Sequence, residues 1–172
     1  MVAALELYLD TDATRRVRNL WAALEDEGVQ TLASLQNQRH RPHVSLAAAH
    51  QLAPETVAAA LAGMDVGGGL SVDLEFAGQF VGRVLWLGVT PTAALLDHHR
   101  EVHERLTAAG VEVWEHYRPG RWVPHCTVSM RVPNPLMASA IRRCLEVLPI
   151  RAAITGAAVT DHVNDIARPL AG

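Results

Sequence analysis

The chain of 172 residues contains no lysine, and all fifteen of its cationic side chains are arginine. That absence excludes a reaction through a lysyl adenylate or a Schiff base, and a phosphate loop built around a lysine. Cysteine is almost as scarce. Cys126 and Cys144 are too few for a disulfide framework, each falls on the apolar face of its own element, and both read as reduced core residues. No apolar run approaches the length of a membrane span, and Met1 to Leu9 lacks the basic start and long apolar stretch of a signal peptide. No membrane partner is expected, and a cytoplasmic location is the default. A formal net charge of −3 provides no global basic field for nucleic acid, although local arginines can still serve an anion.

What is present is an ordinary globular composition, 49% hydrophobic and 19% charged, which predicts a single domain over residues 1–172. Val2 to Leu9 reads as a strand. Ala13, Val17, Leu20, Trp21 and Leu24 recur at helical spacing from about Asp12 to Glu27. Pro54 opens a second helix with Val57, Leu61 and Met64 inward. Leu70 to Phe76 and Val84 to Val89 form a hairpin whose turn is marked by Gly78 and Gly82. A third helix spans Thr92 to Ala109, with Leu95, His99, Val102, Leu106 and Ala109 as its stripe, and a short strand is expected at Val111 to Trp114. Asn134 is expected to cap a fourth helix with Met137, Ala140, Ile141, Cys144 and Leu148 inward. Ile150 to Val159 is the last expected strand, and the tail from Asn164 is expected to be irregular.

Two of these segments share a pattern. Arg41 to Ala47 (RPHVSLA) and Trp122 to Met130 (WVPHCTVSM) both read Pro-His-apolar-hydroxyl-apolar. On a strand, successive side chains alternate between faces. His43 and Ser45 then share one face while Val44 and Leu46 take the other. His125, Thr127 and Ser129 likewise oppose Cys126, Val128 and Met130. Each segment can bury one face and present an imidazole beside a hydroxyl on its second. Two imidazoles on opposing strands can act as base and acid on one reacting atom, and the hydroxyls can hold that atom's oxygens. The recurrence, with a helix on either side of each copy, is consistent with an old internal duplication.

In these paired motifs, in their flanks RPHVSL and YRPGRWVPHCTVSM, and in element order over nearly the whole chain, the sequence resembles the 2H phosphoesterases, the 2′-5′ RNA ligase superfamily, and within it the bacterial branch. The resemblance implies an α+β fold of two pseudo-symmetric lobes, each an antiparallel sheet backed by helices, with a central cleft. It implies His43 and His125 as catalytic residues, with Ser45 and Thr127 as phosphate-binding hydroxyls; serine stands at the first motif where threonine is commoner. It implies metal-independent opening of a 2′,3′-cyclic phosphate or a related nucleotide phosphodiester, with reversible 2′-5′ joining of RNA ends as a related possibility and no cofactor. The expected partner is a nucleotide or an RNA terminus bearing a cyclic phosphate or a 2′-5′ linkage, with no obligatory protein partner. The alternative is a binding module that holds the same ligands without turnover.

Beside the motifs, Arg39, Arg41, Arg118, Arg121 and Arg131 are candidates for phosphate or base contact, Arg121 and Arg131 first among them. Tyr117 and Trp122 could stack on a base or serve the rim. His99 and His103 lie one helical turn apart like a zinc pair, but no third ligand completes a site and no metal is expected. His40, His50, His98, His116 and His162 follow no partner pattern and are expected at the surface.

Overall fold

A computed structural model of the chain describes residues 3–35, 40–161, 163–164 and 166–170. Its first strand, β1 (Ala3–Leu9), puts Leu5, Leu7 and Leu9 into the core, each at most 1% exposed. Asp10 then ends the strand and starts α1 (Thr11–Asp26). One of its carboxylate oxygens accepts from the Ala13 amide at 2.9 Å, the other from the Ala153 amide at 2.7 Å. A single side chain thus caps the helix and ties its entry to the neighbouring strand. The predicted apolar stripe of α1 is buried throughout.

The remaining elements are β2 (His43–Ala49), α2 (Pro54–Ala60), β3 (Ser71–Phe80), β4 (Val84–Val89), α3 (Ala93–Ala108), β5 (His125–Ser129), α4 (Met137–Val147), β6 (Ile150–Asp161) and β7 (Ile166–Pro169). All strand pairings are antiparallel, in the order β2-β1-β6-β3-β4-β5, with β7 added beside β6. The fold is therefore α+β, an antiparallel sheet backed by helices. α1 and α4 pack together over β6 and β3, while α3 lies against β2 with α2 beside it.

β6 is what joins the two halves. Its first residues, Ile150 to Ala153, pair with β3, and Ile154 to Asp161 pair with β1. The strands at the two ends of this path, β2 and β5, share no ladder but pack against each other. The sheet thus curls until its ends meet, and the strands that meet are the two that carry the histidine motifs.

Several expectations need correction. Val111 to Trp114 is not a strand, because its one bond to the sheet is Trp114 N–H to the Ala48 carbonyl at 2.9 Å before the chain turns at Glu115–Tyr117. β3 runs on through Gly78 to Phe80, and the turn falls at Val81 to Arg83, where Gly82 and Arg83 have φ of +90° and +73°. Asn134 makes no side-chain cap; with Pro135 and Leu136 it forms a short 3-10 turn that leads into α4. Ala109 is exposed, since the helix has ended beneath it. The tail forms β7, whose four exposed residues are held by backbone bonds and carry no apolar alternation that could announce them. Val2 and the segment from Gln36 to Arg39 lie outside the described residues.

Gly78 is within the strand for a packing reason. It faces Trp86 across the β3–β4 ladder, and a Cβ there would stand 2.5 Å from the indole ring. Gly78→Ala is expected to push Trp86 off its seat and cost roughly 1–3 kcal/mol, as overpacking does. Urea unfolding should show a lower midpoint at unchanged slope; a midpoint equal to the native one would contradict this packing.

Candidate active site

The alternation predicted for both motifs is what the structure shows along most of their length. On β2, Val44 and Leu46 are at most 1% exposed in the core, and His43 and Ser45 face a cleft of about 850 Å³. On β5, Cys126 and Val128 are fully buried, and His125 and Thr127 face the same cleft. The four motif side chains are therefore brought together. The pattern fails only at the end of β5. Ser129 is fully buried and donates to the Gln30 carbonyl at 2.6 Å, while Met130, beyond the strand, turns out to line the cleft.

The proline in each motif has a physical consequence. Residues before proline are held extended, and both carbonyls so presented, of Arg41 and Val123, meet the ring two residues on. His43 Nδ1 lies 2.7 Å from the Arg41 oxygen and His125 Nδ1 lies 2.6 Å from the Val123 oxygen. A carbonyl can only accept, so each Nδ1 donates and each Nε2 becomes the working nitrogen. The same local sequence thus commits the same ring nitrogen twice.

The surroundings of the two rings differ. His125 lies edge-on to Phe80 at 4.9 Å between centroids and near Trp86 at 6.0 Å. Burial, with the like charges of His43 and His116, pushes its protonation below the usual histidine range, against the opposing pull of the Val123 carbonyl. His43 instead has a carboxylate close by: Glu6 Oε1 is 3.5 Å from its Nε2. Glu6 is 2% exposed and accepts from Thr160 Oγ1 at 2.8 Å. Tyr8, whose hydroxyl is hydrogen-bonded to Glu6, is pushed up to about 12, first by burial and then by that carboxylate.

Of the other predicted residues, Tyr117 lines the cleft and its side chain is hydrogen-bonded to that of Ser45; burial raises its phenol. Trp122 also reaches the cleft but is 8% exposed. Its Nε1 donates to the Ser45 carbonyl at 3.1 Å, and its ring stacks on His99 at 4.0 Å and 7°. It acts as a strut between the two motif segments, with one ring face on His99. Arg121 stands exposed on the rim beside Glu115. Arg41 does not line the cleft; its guanidinium lies 4.2 Å over the Tyr8 ring. Arg131 is exposed past the end of β5 and does not line it either. Arg118 is exposed, and Arg39 and His162 fall outside the described residues.

Residues that the sequence reading passed over also line the cleft: Glu6, Phe80, His40 and His116. His40 and His116 were expected at the surface at large. Phe80 falls beyond Phe76, where the expected strand ends, and β3 carries it to the cleft. For Glu6 there was a signal, a lone acid opposite Leu5 and Leu7 on an otherwise apolar strand. Among the described residues no group of three His, Cys, Asp or Glu side chains could hold a metal, and no helix is long and apolar enough to cross a membrane.

Comparison with known proteins agrees with this geometry. The sequence model of the 2′-5′ RNA ligase superfamily matches residues 38–166, which include both motifs. The chain belongs to that superfamily, the 2H phosphoesterases. Among solved structures it is similar to Escherichia coli LigT in its apo form, at 18% identity over 99% of this chain and 94% of that one, with a TM-score of 0.64. LigT complexed with 3′-AMP matches at 20% identity, 98% and 94% coverage and a TM-score of 0.64. A crystal structure described as a phosphoesterase matches at 19% identity, 98% and 94% coverage and 0.63. These likenesses show the fold. No curated protein matches the sequence.

The strut has a measurable signature. His99 is 2% exposed, its Nε2 donates to the Tyr117 carbonyl at 3.0 Å, and burial pushes it down to about 4. A histidine depressed on folding contributes its full stability above about pH 6.5 and loses it as pH falls toward 4, because the unfolded chain takes up the proton first. His99→Phe is expected to be less stable than the native chain at pH 7. Between pH 7 and 4.5 the gap should narrow by about 2–3 kcal/mol. Unfolding free energies at the two pH values check this, and a gap that stays constant would exclude the assignment.

Proposed function

We propose that this protein is a metal-independent phosphodiesterase that opens 2′,3′-cyclic phosphates, or closely related phosphodiesters of nucleotides and RNA ends, by two-histidine acid–base catalysis. One observation carries the reading. His43 and His125 stand in one cleft, each with Nδ1 committed to a backbone carbonyl, and each with a hydroxyl residue two positions on.

Chemically, a neutral imidazole takes the proton of the attacking water at Nε2 as the new O–P bond forms. The second imidazole, protonated, gives its Nε2 proton to the ribose oxygen that leaves. Ser45 and Thr127 donate to the non-bridging oxygens, where charge redistributes in the transition state. Tyr117, in contact with Ser45, orients that hydroxyl, and Arg121 on the rim meets the rest of the ligand. A nucleotide ligand is further supported by LigT, which shares the fold and is known in complexes with 3′-AMP, ATP and NADP+. Ligation, if it occurs, runs the same reaction backwards from a cyclic phosphate, since no lysine is available for adenylation. Residues 1–172 act as one domain, and a cytoplasmic setting suits two free, buried cysteines.

Incubation with the four nucleoside 2′,3′-cyclic monophosphates in EDTA should yield nucleoside monophosphates, with a bell-shaped dependence of rate on pH. His43→Ala and His125→Ala should each lose about 10²- to 10⁴-fold in rate. Tight binding without product would make the protein a binding module, and loss of activity in EDTA would remove the metal-independent mechanism.

A further inference from the structure

Glu6 is the only acidic side chain among the described residues that line the cleft. It belongs to β1, ahead of the segment matched by the family model. For a site that receives phosphate, a buried carboxylate has the wrong sign, and what it faces decides what it does. Its Oε1 lies 3.5 Å from His43 Nε2. Nδ1 of the same ring already donates to the Arg41 carbonyl. A bare Nε2 would therefore turn a lone pair toward a carboxylate, two acceptors facing each other, whereas an N–H at Nε2 makes the contact attractive.

We infer that Glu6 is a positioning residue that keeps a proton on His43 Nε2, which reserves the general-acid role for His43 and leaves His125 as the general base. The inference rests on the two-histidine reading proposed above and says which ring does what.

The groups around the pair are consistent with this division. On β1, Tyr8 donates to Glu6, and on β6, Thr160 does so. On β5, the buried Cys126 thiol is hydrogen-bonded to the His43 backbone, and Cys126, like Tyr8, is pushed up to about 12 by burial first. Both stay neutral over the working range. Arg41, before β2, is stacked on the Tyr8 ring, and Tyr117 contributes a phenol raised by burial. His125 faces Phe80, Trp86 and the like charges of His43 and His116, and its protonation is held down by burial. The two rings thus face unlike surroundings, a carboxylate beside His43 and aromatic rings around His125, as an acid and base pair requires. In a turnover His125 accepts a proton from water as oxygen bonds to phosphorus, and His43 passes its proton to the departing ribose oxygen. Exchange with solvent returns both rings to their starting states.

Glu6→Gln removes the charge but keeps an oxygen for Thr160. In ¹⁵N spectra of the folded chain at pH 7, His43 should carry protons on both nitrogens, and in Glu6→Gln it should lose the one on Nε2 while His125 is unchanged. On a nucleoside 2′,3′-cyclic monophosphate, Glu6→Gln should lower kcat by about tenfold to a hundredfold with little change in KM. The basic limb of its pH–rate profile should move to lower pH, and Glu6→Asp should recover part of the loss. A p-nitrophenyl ester of a nucleotide, whose leaving group needs no proton, should restore Glu6→Gln and His43→Ala to near the native rate but not His125→Ala. A native His43 with bare Nε2, or a ring unaltered in Glu6→Gln while cyclic phosphates are still opened, overturns the inference and leaves the two-histidine chemistry standing. If the native protein opens no cyclic phosphate but His43 still loses its proton in Glu6→Gln, the pairing is upheld and the proposed reaction fails.

Discussion

Everything the cleft can do depends on two strands that share no backbone ladder. β2 and β5 lie at opposite ends of the strand order, and a flat sheet would hold them far apart. They meet because the twisted sheet curls and because the indole of Trp122 closes the seam. Its N–H reaches the Ser45 carbonyl, and its ring rests on a buried, neutral His99. The thiol of Cys126 adds a second tie, to the His43 backbone. Curling leaves edge strands without ladder partners, and edge strands elsewhere are a liability. Here their side-chain faces form the wall of a site.

The two half-sites are alike in what local sequence determines and different in what the tertiary environment supplies. Pro-His on a strand fixes Nδ1 as a donor by itself, because the carbonyl before the proline is within reach of Nδ1 on either strand. The rest depends on neighbours. β1 delivers a buried carboxylate to one ring, and the β3–β4 hairpin delivers Phe80 and Trp86 to the other. At 3.5 Å a carboxylate and an imidazolium attract by on the order of 5 kcal/mol at an effective dielectric constant of about 20, before the desolvation of both is subtracted. Thr160 and Tyr8, bonded to the carboxylate, reduce that desolvation cost. Two like motifs in this way acquire unlike surroundings.

The extent to which this was legible in the sequence follows the range of the forces involved. Strand alternation and the helical stripes of α1 and α4 are local, and they placed His43, Ser45, His125 and Thr127 on the correct faces. Alternation stopped being informative where a strand stopped, so Met130 was assigned to the core and lines the cleft instead. β7 could not be read because its pairing is backbone only and its side chains are exposed. Nearness in sequence to the motifs does not place the arginines, because a side chain that long is positioned by its tertiary neighbours. Arg41 goes to the Tyr8 ring, Arg131 stays outside, and Arg121 reaches the rim. For Trp122 the sequence leaves base stacking and a rim role both open, and the tertiary neighbours show its N–H bonded to the Ser45 carbonyl and one ring face stacked on His99.

The missing lysine and the buried glutamate bear on the same question, which is where the positive charge for a phosphate comes from. No lysine is available, and among the described residues the one arginine that lines the cleft, Arg121, stands exposed on its rim, two-thirds accessible and next to Glu115. At such exposure a guanidinium is well screened. The described residues that line the cleft are mostly apolar and aromatic, with Glu6 contributing a negative charge. Among the described residues the other lining groups that can become cationic are imidazoles, which in the proposed reaction would both neutralise an incoming phosphate and supply the proton for its leaving oxygen. A fixed cation at the floor would bind ground state and transition state alike, which does not accelerate the chemical step. A mobile proton held by a carboxylate is transferred only as the bond breaks, and that difference between the two states is what a catalyst of this kind can use.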